Sequence, residues 1–312
     1  MLRISPGLRR CWRGLDRLQL GLDPAHAVVL EDLSAGEEAL LEDLVDGVPD
    51  GALTTRAAAR GVAPADAARL VGLLATAGVL EHPAAPGSRA AARATAAEAT
   101  ALALVHGRSG WDVLAGRARR VVVVDGAGRV ADAVAAGLRE AGTGAVAVRS
   151  PGAAPRGAGT GPPPPGAAAA PPDLVVLVAD ALVAPARAAR LVRADVDHLP
   201  VVVRERSAVV GPLVVPGAGP CLRCVELHRA DRDPEWPLVA AQLASPATTA
   251  VPDVVLLRLA CALAVAQALA HLDDATGSAA GGASWEVRLP DGVPSGRAWA
   301  PHPSCGCTWP PP

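Results

Sequence analysis

Hydrophobic and polar positions near the N-terminus first follow a strand-like pattern and then a helical one. Residues 15–23 and 26–32 are two short β-compatible runs bounded by turn residues. Ser34 and Glu37 then have the spacing of a capping box, which predicts the start of a helix that ends at Gly47.

Two more helices are expected after this one. A short helix over 54–60 ends at Gly61, and the next begins near Pro64, a residue suited to the first turn. An extended segment, 79–81, follows in the position of a wing. Two strands, three helices and a wing are the order of a small winged helix-turn-helix domain, which we expect over residues 1–82.

The rest of the chain has a different pattern. Residues 83–118 are alanine-rich, and we expect a linker that contains a helix. Residues 119–312 begin with a continuous apolar run, 121–125, typical of a parallel strand buried on both faces. Further strands alternate with helical segments, which predicts a doubly wound, Rossmann-like α/β domain. Residues 151–172, rich in Pro, Gly and Ala, are expected to be a disordered low-complexity insertion.

Four cysteines have the spacing of metal ligands. Cys221 and Cys224 are two residues apart, and Cys305 and Cys307 flank a single glycine. Neither pair alone fills a tetrahedral zinc shell, whereas four thiolates together describe a closed, structural Zn²⁺ site. Free thiols or redox pairs are the alternative. Cys11 and Cys261 stand outside this pattern.

The composition and the N-terminal sequence indicate the compartment and the classes of partner to expect. The chain has 312 residues, 51% of them hydrophobic, and a net charge of −2, so nothing global indicates nucleic acid or an anionic membrane. The N-terminus lacks a signal-type apolar stretch, and we expect a cytoplasmic protein. The apolar run 254–272 contains Arg258, Gln267 and His271, which favours a buried core helix over a membrane span.

A glycine turn follows the first strand of the Rossmann-like region. Asp125, Gly126 and Gly128 fit a dinucleotide-type turn between a strand and a helix, where backbone amides can hold phosphate. A turn kept for packing, with no ligand, is the alternative. All 29 basic residues are Arg, so no Lys is present to clamp a phosphate.

The order of these elements, with Asp180 at the end of a later strand, resembles the ThiF/MoeB superfamily over roughly residues 119–309. Members adenylate the C-terminal carboxylate of a small protein with ATP and Mg²⁺. The resemblance implies that Asp125, Gly126, Gly128 and Asp180 face the cofactor. This glycine motif is thinner than the family's, the family's Lys is absent, and Arg187 and Arg190 match its Arg only approximately. Nucleotide binding and enzymatic activity therefore stay open.

The N-terminal unit resembles the PqqD-like peptide-recognition element in residues 28–47. In that family a leader peptide adds as an extra strand to the sheet and packs on the third helix, which is β-augmentation. The resemblance implies a peptide-binding surface at the positions listed next. They are Val28, Leu30 and Asp32 on the strand side, and Leu70 and Leu74 on the helix.

Together, the two parts resemble the leader-binding partner of YcaO cyclodehydratases in the biosynthesis of thiazole/oxazole-modified peptides. The resemblance implies a precursor leader peptide and a YcaO-type protein as partners, and it leaves a homodimer open. An active ThiF-type adenylyltransferase is the alternative. A DNA-binding regulator is disfavoured because the third helix offers only Arg69 to a DNA groove.

A few polar residues have two interpretations. His228, Asp231, Asp233 and Trp236 form either a cap on the zinc site and a docking surface, or a solvated loop. Arg204 and Arg206 follow a strand end and meet a carboxylate or phosphate, or are ordinary surface residues. His302 is close to the second cysteine pair, but four cysteines already complete the shell, so it is not counted as a ligand.

Overall fold

The computed structural model describes the ranges 1–5, 7–24, 27–49, 51–81, 91–150, 171–243, 252–273 and 282–308, without the side chains of 91–97. Residues 151–170 of the predicted insertion lie outside the described residues. The chain divides into two compact units, Met1–Ala115 and Gly116–Pro312.

The first unit contains a small antiparallel sheet followed by helices. The sheet order is β1-β2-β3, with Leu18 opposite Leu30 in the β2–β3 pair. The elements of this unit, with the last helix crossing the unit boundary, are β1 Arg10–Trp12, β2 Leu18–Leu20, β3 Val28–Leu30, α1 Ala35–Asp46, α2 Leu53–Ala59, α3 Pro64–Thr76, α4 Ala91–His106 and α5 Gly110–Arg117. The sequence did not predict β1, because all three of its residues are exposed and carry no alternating pattern.

The start of α1 agrees with the sequence in detail. The Ser34 hydroxyl accepts the Glu37 amide, and the Glu37 carboxylate accepts the Ser34 amide at 3.0 Å. That amide and the nearby Arg69 lower the pKa of Glu37 although burial opposes them. The predicted capping box is confirmed.

The predicted wing is not seen. Leu80 forms an isolated bridge with Ile4, and the Ser5 amide donates to Val79 O at 2.8 Å, so this segment pairs with the N-terminus. In the region expected to be a linker, the described residues hold α4 and α5.

The second unit is built on a seven-stranded sheet of order β10-β9-β8-β7-β6-β4-β5. Strands β5, β4, β6 and β7 run parallel, and the remaining pairs are antiparallel. The elements are β4 Val121–Asp125, α6 Gly128–Glu140, β5 Ala145–Arg149, β6 Leu174–Asp180, α7 Pro185–Arg193, β7 His198–Val203, β8 Ser207–Val210, α8 Leu222–Arg232, α9 Trp236–Leu243, α10 Val254–Leu272, β9 Ala283–Arg288 and β10 Ser295–Ala298. This is the expected mixed α/β, Rossmann-like arrangement, extended by three antiparallel strands that the sequence pattern did not predict.

Both faces of the parallel strands are covered. Val122 and Val124 pack into the larger core with α6 and α10, while Val123 packs on the opposite face with residues of α7. Alternate residues of one strand therefore serve two cores, which explains the unbroken apolar run. Helix α10 is long and apolar enough to cross a membrane, but Leu256 and Ala260 are among its residues buried against the sheet. It is the predicted core helix.

Candidate functional site

The four predicted cysteines converge in the second unit. Their sulfur atoms all lie within 4.8 Å of one another. Cys221 Sγ is 3.9 Å from Cys224 Sγ and 3.5 Å from Cys305 Sγ, and Cys224 Sγ is 3.3 Å from Cys307 Sγ. Four sulfurs bound tetrahedrally at about 2.3 Å from a metal lie about 3.8 Å apart. The cluster can therefore hold a metal ion, and its geometry is compatible with zinc.

Local structure brings the two pairs together. Cys221 is the N-cap of α8, which places Cys224 in the first turn on the same side of the helix. Cys305 and Cys307 lie in a turn in which Gly306 has φ of 72°, a left-handed conformation that glycine adopts without strain. The cluster thus ties the C-terminal segment to α8 across 80 intervening residues of the chain.

The thiols differ in their electrostatic environment. Burial opposes ionisation of Cys224, but the His302 amide and neighbouring thiols donate hydrogen bonds that lower its pKa overall. Burial raises the pKa of Cys305, and it raises that of Cys307 to about 11. A bound cation would reverse this preference, because a coordinating thiol is deprotonated by its metal.

His302 lies beside the cluster and links its two halves. Its Nδ1 accepts the Ser304 amide at 3.1 Å, and its Nε2 is 2.9 Å from Asp231 on α8. His228 packs edge-on against His302 and reaches Ala300 O at 3.0 Å. His228, Asp231 and His302 lie close enough to bind an ion, but both Nε2 atoms contact protein acceptors. These contacts connect α8 to the turn that carries the second cysteine pair.

The glycine turn follows β4 at the expected place. The Gly126 amide donates to Arg149 O at 2.8 Å, and a Cβ at this position would lie 2.6 Å from Val178 Cβ. Gly126 is therefore required for close packing between strands, and its N–H is already bonded. Gly128 is the first residue of α6, whose N-terminus has no side-chain cap.

Three arginines surround Asp125, whose side chain is only 3% exposed. Arg187 Nη2 donates to Asp125 O at 2.6 Å and to Val178 O at 3.2 Å, and it lies 3.3 Å from the Asp125 carboxylate. Arg190 Nη2 is 3.6 Å from the same carboxylate. Burial lowers the pKa of Arg149, while the charge of Asp125 opposes that effect. Asp125 thus serves an internal ion-pair cluster.

This cluster lies where the strand order of the sheet reverses. Strand β4 has β5 on one side and β6 on the other, so the strand order reverses between β4 and β6. Ligands of open α/β sheets bind at such a switch point, beyond the carboxyl ends of the strands. Arg187 bridges carbonyl groups of both strands at that place. From the sequence, Arg187 matched the family's Arg only approximately, and Arg149 was not predicted to be a site residue. The position of Arg149 at the end of a predicted strand could have identified it.

Asp180 ends β6, three positions beyond Leu177, the residue paired with Asp125. Burial raises the pKa of its carboxyl group. Its carboxylate makes no hydrogen bond or ion pair with the residues that the structure describes.

The predicted peptide surface belongs to the first unit. Leu30, Leu70 and Leu74 are 7%, 1% and 0% exposed and lie in one core, so their side chains belong to that core and not to an exposed peptide-contacting surface. Val28 is half-buried, and Asp32 is exposed with φ of 55°.

The outer edge of β3 has accessible backbone groups. The Gly21 amide donates to Arg9 O and the Arg13 amide to Arg17 O, so odd-numbered residues of β2 bond to β1. Successive residues of a central antiparallel strand direct their backbone hydrogen bonds to opposite neighbours. Leu18 and Leu20 therefore bond to Leu30 and Val28 of β3. The N–H and C=O of Val29 consequently point away from β2. In the described part of the chain, β3 pairs only with β2.

Several solved structures match the whole arrangement. Escherichia coli MccB has a TM-score of 0.69 and 12% identity, covering 98% of this chain and 96% of that chain. A heterocyclase in complex with substrate and cofactor has a TM-score of 0.67 and 16% identity, covering 98% of this chain and 39% of that chain. The heterocyclase TruD gives 0.67 and 17%, with 98% and 42% coverage.

This chain shares their fold. Because all three sequence identities are 17% or lower, the similarity shows a shared fold alone. The chain spans about two fifths of the length of the two heterocyclases and nearly all of MccB. No protein-family model and no curated protein matches it.

Proposed function

We propose that this chain binds the leader segment of a ribosomally made precursor peptide and presents that peptide to a separate YcaO-type cyclodehydratase. The chain itself does no chemistry, and the partner closes thiazoline and oxazoline rings by loss of water, the unoxidised precursors of thiazoles and oxazoles. We place both proteins in the cytoplasm, where the free thiols of all six cysteines would persist.

The observation that carries this proposal is the position of Arg187. Its guanidinium occupies the switch point between β4 and β6, where a Rossmann-like sheet would receive a nucleotide. Displacing it would leave the buried Asp125 carboxylate with only part of its compensating charge, which is costly in a dry environment. A scaffold that keeps the fold without the nucleotide fits this arrangement.

The comparison with the two longer heterocyclases supports a two-protein system. About three fifths of the length of each heterocyclase has no counterpart here. One of them was solved with both substrate and cofactor. We infer that a second protein supplies what those additional segments supply.

The edge of β3 supports peptide capture. The outward N–H and C=O of Val29 would bond to an added strand, which is how β-augmentation gains affinity. We therefore assign the PqqD-like role to the first unit, with Val28 and Asp32 flanking the bonded position and Leu70 and Leu74 in the core beneath it.

The cysteine cluster completes the proposal as a structural zinc site. Four thiolates with no open position suit zinc in a folding role and not in catalysis. The metal would fix the C-terminal segment and the adjoining end of α8.

The second candidate is an ATP-dependent adenylyltransferase that acts on a peptide or ubiquitin-like carboxylate. MccB favours it, because this chain matches 96% of MccB and MccB has been solved with ATP. In that case Mg²⁺–ATP would contact the turn at Gly126 and Gly128, and Asp180 would face the metal.

One reconstitution separates the two functions. The zinc-loaded chain is mixed with precursor peptides encoded beside its gene, with ATP, and with or without the neighbouring YcaO-type protein. We expect the chain alone to bind a peptide, measured by fluorescence anisotropy, and to consume no ATP. Loss of water from the peptide, measured by mass spectrometry, should require both proteins. Release of pyrophosphate by the chain alone, abolished by Gly128→Asp, would replace the proposal with the adenylyltransferase.

A further inference from the structure

The second unit has a polar groove of about 680 Å³ whose lining includes none of the four clustered cysteines and not Asp125. It lies over the antiparallel part of the sheet, between the ends of β7 and β8 and helices α8 and α9. Its charged and aromatic lining is Arg204, Glu205, Arg229, Arg232, Asp233, Trp236, Glu286, Arg288, Arg297 and Trp299. Five arginines and three acids line the groove, and Glu226 pairs with Arg229 at 2.8 Å, which leaves a small net positive charge. We call it the arginine groove.

Three of its cations form no ion pair within the described part of the chain, although the charge of Arg204 contributes to the lowered pKa of Glu286. Among the described residues, Arg204, Arg232 and Arg297 have no ion-pair partner, whereas Arg288 pairs with Glu286 at 2.9 Å. Burial lowers the pKa of Arg229, which Glu226 opposes and the charges of Arg204 and Arg297 reinforce. The groove therefore concentrates positive charge that an incoming anion would relieve.

Tryptophan side chains orient these cations. The guanidinium groups of Arg232 and Arg297 each lie 5.4 Å from the Trp299 ring, and Arg229 lies 5.2 Å from the Trp236 ring. Trp299 Nε1 donates to Ser284 Oγ at 2.8 Å, and Trp236 Nε1 to Glu226 at 2.7 Å. Because the rings are held by hydrogen bonds, the guanidinium planes are pre-organised for bidentate contacts to oxyanions.

We propose that the arginine groove binds an acidic segment of a peptide through carboxylate–guanidinium pairs. It is a second peptide-contacting surface, distinct from the edge of β3, and the assignment of the segment to the precursor peptide rests on the proposed function. Its exposed neighbour β10, at the edge of the sheet, contributes Ser295, Gly296 and Arg297 to the lining. An extended chain can therefore run beside a strand edge with carboxylates reaching the arginines.

The spread of charge favours a peptide over a compact phosphate. Glu205, Asp233 and Glu286 are interleaved with the arginines. A polyphosphate, with several charges within a few ångströms, would meet these acids as well as the cations. A peptide with carboxylates at intervals can place each charge against an arginine and avoid the acids.

The test uses the full zinc-loaded chain and an end-blocked, labelled hexaglutamate peptide, with a hexaglutamine peptide and tripolyphosphate as comparison probes. Anisotropy at low salt should show binding of hexaglutamate, loss of affinity with added salt, and no binding of hexaglutamine. Tryptophan emission should change on binding, because the chain has no Tyr or Phe and Trp299 lies between two of the arginines.

Matched variants locate the site. Arg204→Gln combined with Arg297→Gln should weaken hexaglutamate binding by about tenfold or more, equivalent to about 1.4 kcal/mol. Arg193→Gln combined with Arg223→Gln, the same loss of two charges but outside the groove, should have no effect. Circular dichroism confirms that each variant is folded. Equal weakening by both changes, equal binding of hexaglutamine, or stronger binding of tripolyphosphate would overturn the proposal.

A final variant separates this inference from the proposed function. Val29→Pro, which blocks the edge of β3, should leave hexaglutamate binding unchanged. If precursor peptides bind and hexaglutamate does not, the arginine groove is rejected while leader capture stands. If hexaglutamate binds and no precursor peptide does, the reverse holds.

Discussion

Arg187 Nη2 donates a 2.6 Å hydrogen bond to the main-chain oxygen of Asp125 while lying 3.3 Å from the carboxylate of the same residue. One guanidinium thereby satisfies a strand-end carbonyl and neutralises a buried charge. Because the two residues are 62 positions apart in the chain, the contact also fixes α7 relative to the end of β4.

Removing this guanidinium should destabilise the protein. We expect Arg187→Ala to lower the free energy of unfolding by about 2–4 kcal/mol, because Asp125 stays buried and loses one of the cations that compensate its charge, while Arg190 and Arg149 remain. Urea denaturation followed by far-UV circular dichroism measures the change. Arg193→Ala, an exposed change on the same helix, should cost no more than about 0.5 kcal/mol. Equal losses in the two variants would show that the contact with Asp125 contributes little.

The sequence predicted features that depend on neighbouring residues. Ser34 and Glu37 lie one helical turn apart, so their capping box could be recognised, as could the buried strand at Val121–Asp125. Each cysteine pair is likewise local, and the need of zinc for four ligands predicted that the two pairs meet. These patterns need no knowledge of distant contacts.

Other features depend on partners far along the chain. Strand β10 is exposed at all four residues and exists because it pairs with β9, so it has no hydrophobic pattern of its own. From the sequence, Asp125 was predicted to contact a cofactor. Its contact with Arg187 could not be predicted, because it depends on the path of the chain from β4 through β5 and β6 to α7. The arginine groove combines residues from 181 to 299 and has no local signature.

Metal loading should depend on all four clustered cysteines and on no other cysteine. We expect one zinc ion per chain by elemental analysis, lost in Cys305→Ser and retained in Cys261→Ser, whose sulfur donates to Ala133 O outside the cluster. Chelation should lower the melting temperature of the wild type. At free zinc a thousandfold above its Kd, binding alone stabilises the fold by about 4 kcal/mol. Stoichiometric zinc in Cys305→Ser would refute the four-thiolate site.

The edge of β3 can be blocked without disturbing its bonds to β2. Proline at position 29 removes an N–H that points away from the sheet, a position where edge strands tolerate proline. We expect Val29→Pro to weaken binding of a labelled precursor peptide by about tenfold or more, because the added strand loses a main-chain hydrogen bond and meets the ring. Val29→Thr, which keeps the N–H and the branched shape, should bind like the wild type. Unchanged binding by the proline variant with an intact fold would move the peptide site elsewhere.

His198 should make stability fall as the pH is lowered towards 5. The residue is fully buried on β7, its Nδ1 lies 2.9 Å from Val196 O, and burial lowers its pKa from the usual 6.5. The unfolded chain therefore binds the proton first, so the stabilisation is complete above about pH 6.5 and is lost as the pH falls below that value. The greatest slope from one such group is about 1.4 kcal/mol per pH unit.

The measurement compares the wild type with His198→Asn, which keeps a short donor towards Val196 but cannot titrate. Urea denaturation of both zinc-loaded proteins between pH 7.5 and 5.5 gives the free energy of unfolding as a function of pH. The thiolates and carboxylates contribute equally to both curves, so the difference between the curves reports the titration of His198. Asp197 opposes the shift by attracting the proton, and His271, which lies 2.8 Å from Asp197, is unchanged in the variant. We expect the wild type to lose more stability than His198→Asn over this interval. Parallel curves would mean that the imidazole does not become charged on unfolding in this range, and a steeper loss in His198→Asn would reverse the sign that burial imposes.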